Sequence, residues 1–471
     1  AEWRGSTGGS LSSAANWTDG VLPSVGGPVR FWVDGGEQKL TQDIETFAPS
    51  SVVVTNASGN LNALMFLGDS PLVVNGNVLF DGRAMLSRLE LSSGLAGTGT
   101  LELRLATNNI NSCCNLLAAK STFAGRLVFD SGYLQCEGAI THIGDDDQVL
   151  VPDAITLRGK ATLKNWNADL HIPAWQGIVL DGEGGGFCVG WSAENVSFKA
   201  TVDGPITGDG RLYVSQCAFP VVLNNPDNAW TGGTEIGSIQ SGGAYTGPAP
   251  EIIIGENGSF PEGNELIMAK NGAAFLELNG HSITVSNLFV GSAGVIRNSS
   301  DVPVVVHAQE AEIYGAFEGN VQLDCPNAKL YVDDDSVWTA PLVIAEGATN
   351  TVAVTQTGGA VYKLNGGTLA LPATAGFSER AYNSSRLGDL FKAIDGIYAK
   401  TRMGFDDAPE WGDPFGYFYL SEWYVPSTGL YRFVKRFNDS AALRVDDRML
   451  ISNMNGGAKV ILEDVPLTEG W

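Results

Sequence analysis

The chain runs to 471 residues, too long for one ordinary compact domain, so it is either several domains or a repeat architecture, whose length is unrestricted. Its formal net charge of −24, from 28 basic and 52 acidic side chains, repels duplex nucleic acid and anionic membrane and excludes both as partners. A hydrophobic fraction of 44% is enough to fill a core and excludes wholesale disorder.

Composition favours the repeat. Gly accounts for 59 residues and charged side chains for only 17%, a mixture suited to short strands joined by tight bends. The acidic balance has two readings: solubility outside the cell, or oxygen ligands that let divalent cations bridge copies.

In chain order, residues 1–48 read as an N-terminal cap containing Trp3 and Trp17. Ala1-Glu2-Trp3 enters folded-type sequence at once, as a mature N-terminus does after signal-peptide cleavage behind a small residue. An extracellular or cell-surface location is therefore expected. No run approaches the roughly 18 apolar residues that span a bilayer, so no transmembrane segment is expected.

Residues 49–375 carry apolar-alternating runs of four to seven residues bounded by Gly, Asn, Asp or Ser, such as SPLVVNGNVLFDG, GTLELRLATNN and AKLYVDDDSVW. A degenerate phrase recurs: Gly97-Thr98-Gly99-Thr100-Leu101-Glu102-Leu103 parallels Gly208-Asp209-Gly210-Arg211-Leu212-Tyr213-Val214. Helical periodicity is nearly absent before residue 380, which excludes doubly wound α/β folds, whose crossovers need helices. No Pro- or Ser-rich linker divides residues 1–370 into separate sandwiches. The expected fold is all-β: a right-handed parallel β-solenoid with an N-terminal cap, followed by a partial antiparallel β-sandwich. At about 22 residues per coil, residues 50–370 make roughly 15 coils. With about 4.8 Å per rung, that is a rod of roughly 70 Å.

Six cysteines, Cys113, Cys114, Cys136, Cys188, Cys217 and Cys325, lack the CxxC spacing of zinc or redox sites. They allow up to three bridges in an exported protein, or act as small buried apolar side chains stacked along the coils.

Two stretches carry a family resemblance. The opening WRGSTGGSLSSAANWTDGVLPSVGGPVRF places Trp3, Ala14, Asn16, Trp17 and Pro23 at marked positions, and NNPDNAWTGGTEIGSI carries Trp230, Thr231, Gly232, Gly233, Thr234 and Ile236. Both resemble proteins with autotransporter-associated β-strand repeats, the second with Trp230 where that family usually has Tyr. STFAGRLVFDSGYLQ is a looser copy, and LELNGHSITVSNLFVGSAGVIRNSS looks like the segment that follows it. The resemblance implies a parallel β-helix on a bacterial surface, used as passenger, stalk or adhesin.

From residue 376 the pattern changes. Residues 386–394 read as one short helix, and aromatic density then rises. Trp423, Pro426, Gly429, Tyr431, Phe433, Asp439, Leu443 and Asp446 fall on the pattern of the protective-antigen-type β-sandwich named for an anthrax toxin, which 376–471 resembles. That family continues with further strands beyond the phrase matched by Leu467-Thr468-Glu469-Gly470-Trp471, so the sandwich is expected to be incomplete. Its adhesin members imply calcium-dependent sugar binding through an adjacent acidic pair. Asn438-Asp439 stands at that place, so Asp439 is the candidate calcium ligand, with one carboxylate where two are usual. The bland alternative is a turn in which both residues cap their own backbone. Trp423 and Tyr424, with Trp411, Phe415, Tyr417 and Tyr419, are candidates for a sugar-stacking platform or protein interface, although their near-alternate spacing puts about half in a core.

Catalysis by a β-helix lyase or hydrolase needs clustered carboxylates with a basic partner, recurring one coil apart. No such column is read at a period of 22, and no Gly-x-Ser-x-Gly elbow occurs. His142, His171, His281 and His307 are scattered, with His171 and His307 inside apolar strands and expected in the core. Asp145–Asp147 and Asp333–Asp335 read as solvated corners. The expectation is a non-catalytic extracellular structural or adhesive protein, self-assembling through solenoid ends and the C-terminal sandwich, with glycans as the alternative partner.

Overall fold

The computed structural model describes residues 1–330 apart from 34–35, 57–62, 84–87, 106–112, 118–121, 138–148, 166–168, 190–197, 216–219, 238–248, 271 and 326, and beyond them the strands lying within 342–468. The chain divides into two compact units, Ala1–Gly376 with Thr401–Asp406, and Phe377–Lys400 with Asp407–Trp471.

The first unit is a parallel β-solenoid. One face is a ten-stranded sheet running from Glu2–Trp3 through Pro28–Val33 and Thr100–Leu105 to Ala229–Trp230. A second face begins at Glu37–Thr41 and Ala63–Leu67 and continues past Val304–Ile313. The third consists of short strands at Leu72–Val73, Leu95–Gly97 and Thr122–Phe123, then a seven-stranded sheet from Leu170–Ile172 to Ala316–Gly319.

Strand alternation explains why these residues stack. In Thr100–Leu105, Leu101, Leu103 and Leu105 are buried while Thr100, Glu102 and Arg104 face outward, as a period of two requires. Leu101 pairs with Val78 on one side and Leu127 on the other, and Leu127 continues to Ile155, Ile178 and Ile206. Like thus stacks on like in one continuous core from Trp3 to Ala328. Each fully buried Leu or Ile in it contributes about 1.5–3 kcal/mol relative to exposure.

Coils are more variable than a fixed repeat of 22 suggests. Ile178 pairs with Ile206, but the adjacent Thr207 pairs with Ala229, so successive turns differ in length at their corners. The first face completes ten rungs by residue 230, which makes the rod shorter per residue than the sequence estimate.

The recurring Gly-x-Gly phrase is a corner, used at more than one place around the coil. Gly97 has φ 101° and Gly208 φ 107°. A Cβ at Gly97 would fall 2.2 Å from the Val74 carbonyl oxygen, and one at Gly208 2.0 Å from that of Leu180. Two residues on, Gly99 N–H donates to Val74 O at 2.8 Å and Gly210 N–H to Leu180 O at 2.9 Å. The first corner leads from the third face onto the first, and the second from the first face onto the second. The two copies share local geometry without sharing position in the coil.

Trp3 and Trp17 pack edge to face at 5.3 Å in the first coil, and Trp17 Nε1–H donates to Leu11 O at 2.7 Å. Residues 1–48 are continuous with the solenoid, since Trp3 pairs with Phe31 and Phe31 with Val54. Cys188 and Cys325 are buried thiols, and burial pushes that of Cys188 up to about 11 against the pull of Lys164. Cys217 and the side chains of Cys113, Cys114 and Cys136 lie outside the described residues.

In the second unit Glu379–Tyr382 pairs antiparallel with Gly416–Tyr419, Gly429–Phe437 with Lys459–Leu467, and Ala441–Val445 with Arg448–Asn453. The helix expected at 386–394 lies outside the described residues.

Candidate functional site

Chemistry on a solenoid depends on outward side chains that register brings into columns. On the third face Ile253, Glu277, Arg297 and Glu318 are successive Cα partners. Arg297 lies 5.3 Å over the Phe275 ring, donates from Nη2 to Glu251, and brings Nε to 3.2 Å from Glu277 Oε2, an ion pair without hydrogen-bond alignment. Glu277 is only 6% exposed, yet its carboxylate accepts from Asn279 N (2.8 Å), Ser299 N (2.9 Å) and Ser299 Oγ (2.6 Å). Burial raises the Glu251 carboxyl above the ordinary value, Arg297 works against this, and the nearby charge of Glu277 adds to it.

A second cluster stands on the second face. Arg211 reaches Glu265 and lies 3.8 Å from Glu235, while Lys160 Nζ sits 5.7 Å over the ring of Tyr213. Burial raises the Tyr213 phenol, opposed by Arg211 and reinforced by Glu235 and Glu183. On the first face Arg104 pairs with Glu102 and, at 2.9 Å, with Asp130; Arg126 pairs with Asp153 at 2.7 Å, and Arg158 with Asp181.

Two sequence expectations are corrected here. Charged columns do exist, as Glu277, Arg297 and Glu318 show. His171 and His307 are not core residues. Leu170 and Ile172 point inward, so the period of two turns His171 outward, where Nε2 meets Asp203 Oδ2 at 2.7 Å. His307 Nδ1 likewise meets Asp324 Oδ2 at 2.7 Å on the next rung. Burial opposes ionisation of Asp203, but hydrogen bonds from Asn224 and His171 outweigh it and hold its carboxyl below the usual range.

These clusters contain the residue types of acid–base sites, yet their charges close on one another from rung to rung. Exposed pairs of this kind contribute about 0–1 kcal/mol each, whereas removing one partner of the more buried Arg297–Glu277 contact costs more, because it leaves the other charge buried. Sequence reasoning missed them because most partners lie one or two coils apart.

Asn438, Asp439, Trp423 and Tyr424, the residues singled out for sugar and calcium, lie outside the described residues, as do Trp411, Phe415, His142 and the two acidic runs. In sequence Asn438-Asp439 follows the strand Gly429–Phe437 and precedes Ala441–Val445, and Asp446-Asp447, also outside the described residues, precedes Arg448–Asn453. Among the described residues no group of three or more His, Cys, Asp or Glu side chains is placed to hold a metal ion, and no helix is long and apolar enough to cross a membrane. No protein-family model, curated protein or solved structure matches the chain.

Proposed function

We propose that the chain is a non-catalytic extracellular structural protein, a rigid β-solenoid stalk that assembles into a surface fibre or layer. The observation that carries this reading is the unbroken core from Trp3 to Ala328, flanked by outward charges that tie rungs together. Such an arrangement resists bending and engages the carboxylates of these pairs in the structure itself.

The finer assignment, to bacterial surface proteins with autotransporter-associated repeats, rests on the phrases around Trp17 and Trp230. Their positions support it: Trp17 is buried in the first coil, and Trp230-Thr231-Gly232-Gly233-Thr234 forms a corner between the first and second faces. The protective-antigen-type sandwich completes the proposal as the module that makes contacts between copies. Net charge of −24 opposes those contacts, so salt or divalent cations favour them.

Light scattering across protein concentration, salt and calcium tests the reading. Growth of particle mass with salt or calcium is expected, together with no release of reducing ends or unsaturated products from pectin, alginate or host glycans. Strict monomers under every condition, or product release, overturn it. A second reading, calcium-dependent glycan binding, takes Asn438 and Asp439 at the strand junction with Trp423 and Tyr424 as the sugar platform. Chelator-sensitive binding on a glycan array, abolished by Asp439→Ala, is its signature.

A further inference from the structure

The first strand of the second face, Glu37–Thr41, pairs with Ala63–Leu67 along one edge. Its other edge is the kind that invites a foreign strand, because it presents unpaired backbone groups. Here that edge is covered by residues 7–12 of the same chain. Gly8 N–H donates to Lys39 O at 2.5 Å, Leu11 N–H to Thr41 O at 2.9 Å, and Thr41 N–H to Gly9 O at 2.9 Å. Lys39 N–H meets the Thr7 hydroxyl at 3.1 Å. The amide and carbonyl of both Lys39 and Thr41 are thus satisfied from outside the sheet.

The cover is short, and Ser10 supplies its single bridge, to Thr41. What fastens it is Asp43. Its carboxylate accepts from Ser12 N at 2.8 Å, Ser12 Oγ at 2.8 Å and Ser10 Oγ, and the side chain is exposed. Partial burial disfavours its charge, yet the Ser10 and Ser12 hydrogen bonds prevail and hold it ionised below the ordinary carboxylate range. Leu11, fully buried between the two serines, anchors the segment in the core.

We infer that residues 7–12 are a latched cover, and that releasing them from Asp43 turns Glu37–Thr41 into an acceptor for an extended strand of a second copy of this chain. The occupant follows from the edge itself. Residues 7–12 already bridge the edge in parallel at Ser10 and satisfy the outward groups of Lys39 and Thr41, so the edge carries the hydrogen-bond pattern that an added parallel strand would use. The solenoid is built of such strands, which makes another copy the supplier nearest in chemistry. The latch therefore sets whether this edge stays closed. This holds whether or not the intact chain assembles as proposed above, since it concerns one edge only.

The test uses the full chain with Asp43→Ala, alone and combined with Ser12→Ala. Hydrogen exchange at the Lys39 and Thr41 amides is expected to speed up at least tenfold, and sedimentation to show more self-association than the unsubstituted chain at equal concentration. Adding Lys39→Pro removes the outward donor while leaving the inner ladder, as proline on edge strands does, and is expected to return association to the unsubstituted level. Ser12→Ala alone, which keeps the backbone donor, is expected to move exchange the same way by a smaller factor and covers the case in which the double variant does not fold. Unchanged exchange in both Asp43→Ala and Ser12→Ala overturns the latch. Faster exchange with unchanged association overturns the strand acceptor. Unchanged association in the unsubstituted chain across salt bears only on the assembly proposal.

Discussion

Arg297 and Glu277 are direct Cα partners on adjacent rungs of the third face, and the same guanidinium reaches past Glu277's rung to Glu251. One cation thus serves two carboxylates of restricted exposure, 7% for the Glu277 side chain and 15% for that of Glu251. Removing the cation leaves both acids buried against each other.

Arg297→Ala is therefore expected to destabilise the solenoid locally by about 2 kcal/mol, below the 3–5 kcal/mol of fully buried pairs because Arg297 is about one-third exposed. Arg297→Lys, which keeps the charge but loses the fork and the stack on Phe275, should recover only part. Hydrogen exchange over residues 251–298 measures both. A loss in Arg297→Ala below about 0.5 kcal/mol would place this column with ordinary surface pairs.

The corner glycines predict a graded series. Gly208 has a left-handed φ of 107° and no room for a Cβ beside Leu180 O, whereas Gly182 has φ 60° and nothing within 4 Å of its added Cβ. Gly182→Ala should cost only the conformational penalty of about 1 kcal/mol. Gly208→Ala adds a backbone overlap and should cost at least about twice that. Denaturant midpoints of the two variants check the order, and equal losses would refute the corner geometry.

How much of this was legible in sequence follows from the same residues. Alternation in Thr100–Leu105 and its relatives announces inward and outward positions directly, so parallel strands and a continuous core were readable. The phrase around Gly97 and Gly208 was readable as a repeat, but which corner each copy occupies depends on the lengths between them. Columns such as Glu277–Arg297 were hidden because only the register shows which outward side chains of successive coils face one another. His171 was misread by its apolar neighbours, although its own place in the alternation Leu170-His171-Ile172 carried the answer. Asn438 and Asp439 were singled out by resemblance to a family pattern, which carries no rung or register of its own.

Asp203 gives a pH prediction with a definite sign. Its carboxyl lies below the ordinary 3.8 in the folded chain despite partial burial, through Asn224 and His171. A depressed folded value means the contribution is present above the unfolded value and lost as pH falls through the folded one. Asp203→Asn should thus lower stability near neutral pH and make progressively less difference once pH drops below about 3.8, where the unfolded chain takes up the proton first and the folded chain follows at lower pH. Glu251, whose carboxyl is raised, runs the other way: its folded state takes up protons more readily, and acid relieves it. Thermal midpoints of the unsubstituted chain and Asp203→Asn from pH 3 to 7 measure the difference, and a gap that widens on acidification contradicts the assignment.

Trp230 carries the last prediction, because it fills the corner between the first and second faces. Its side chain is fully buried, packs edge to face with Phe260 at 5.7 Å, and donates from Nε1 to Gly233 O and Thr234 Oγ1, both at 3.1 Å. Its own carbonyl accepts from the Asn264 amide of the following coil, so ring and backbone together hold this corner to its neighbour. Trp230→Ala should cost about 3–5 kcal/mol through the cavity and the lost packing. Trp230→Phe keeps most of the volume but strips the donor, leaving the Gly233 carbonyl and Thr234 hydroxyl short of one partner, a further loss of about 1–3 kcal/mol beyond the packing change. Trp230→Tyr retains a polar tip on a smaller ring and is expected to lie between Phe and the native residue. If Tyr proves no better than Phe in denaturant unfolding, the corner uses Trp230 for bulk alone, and the hydrogen bonds to Gly233 and Thr234 contribute nothing measurable.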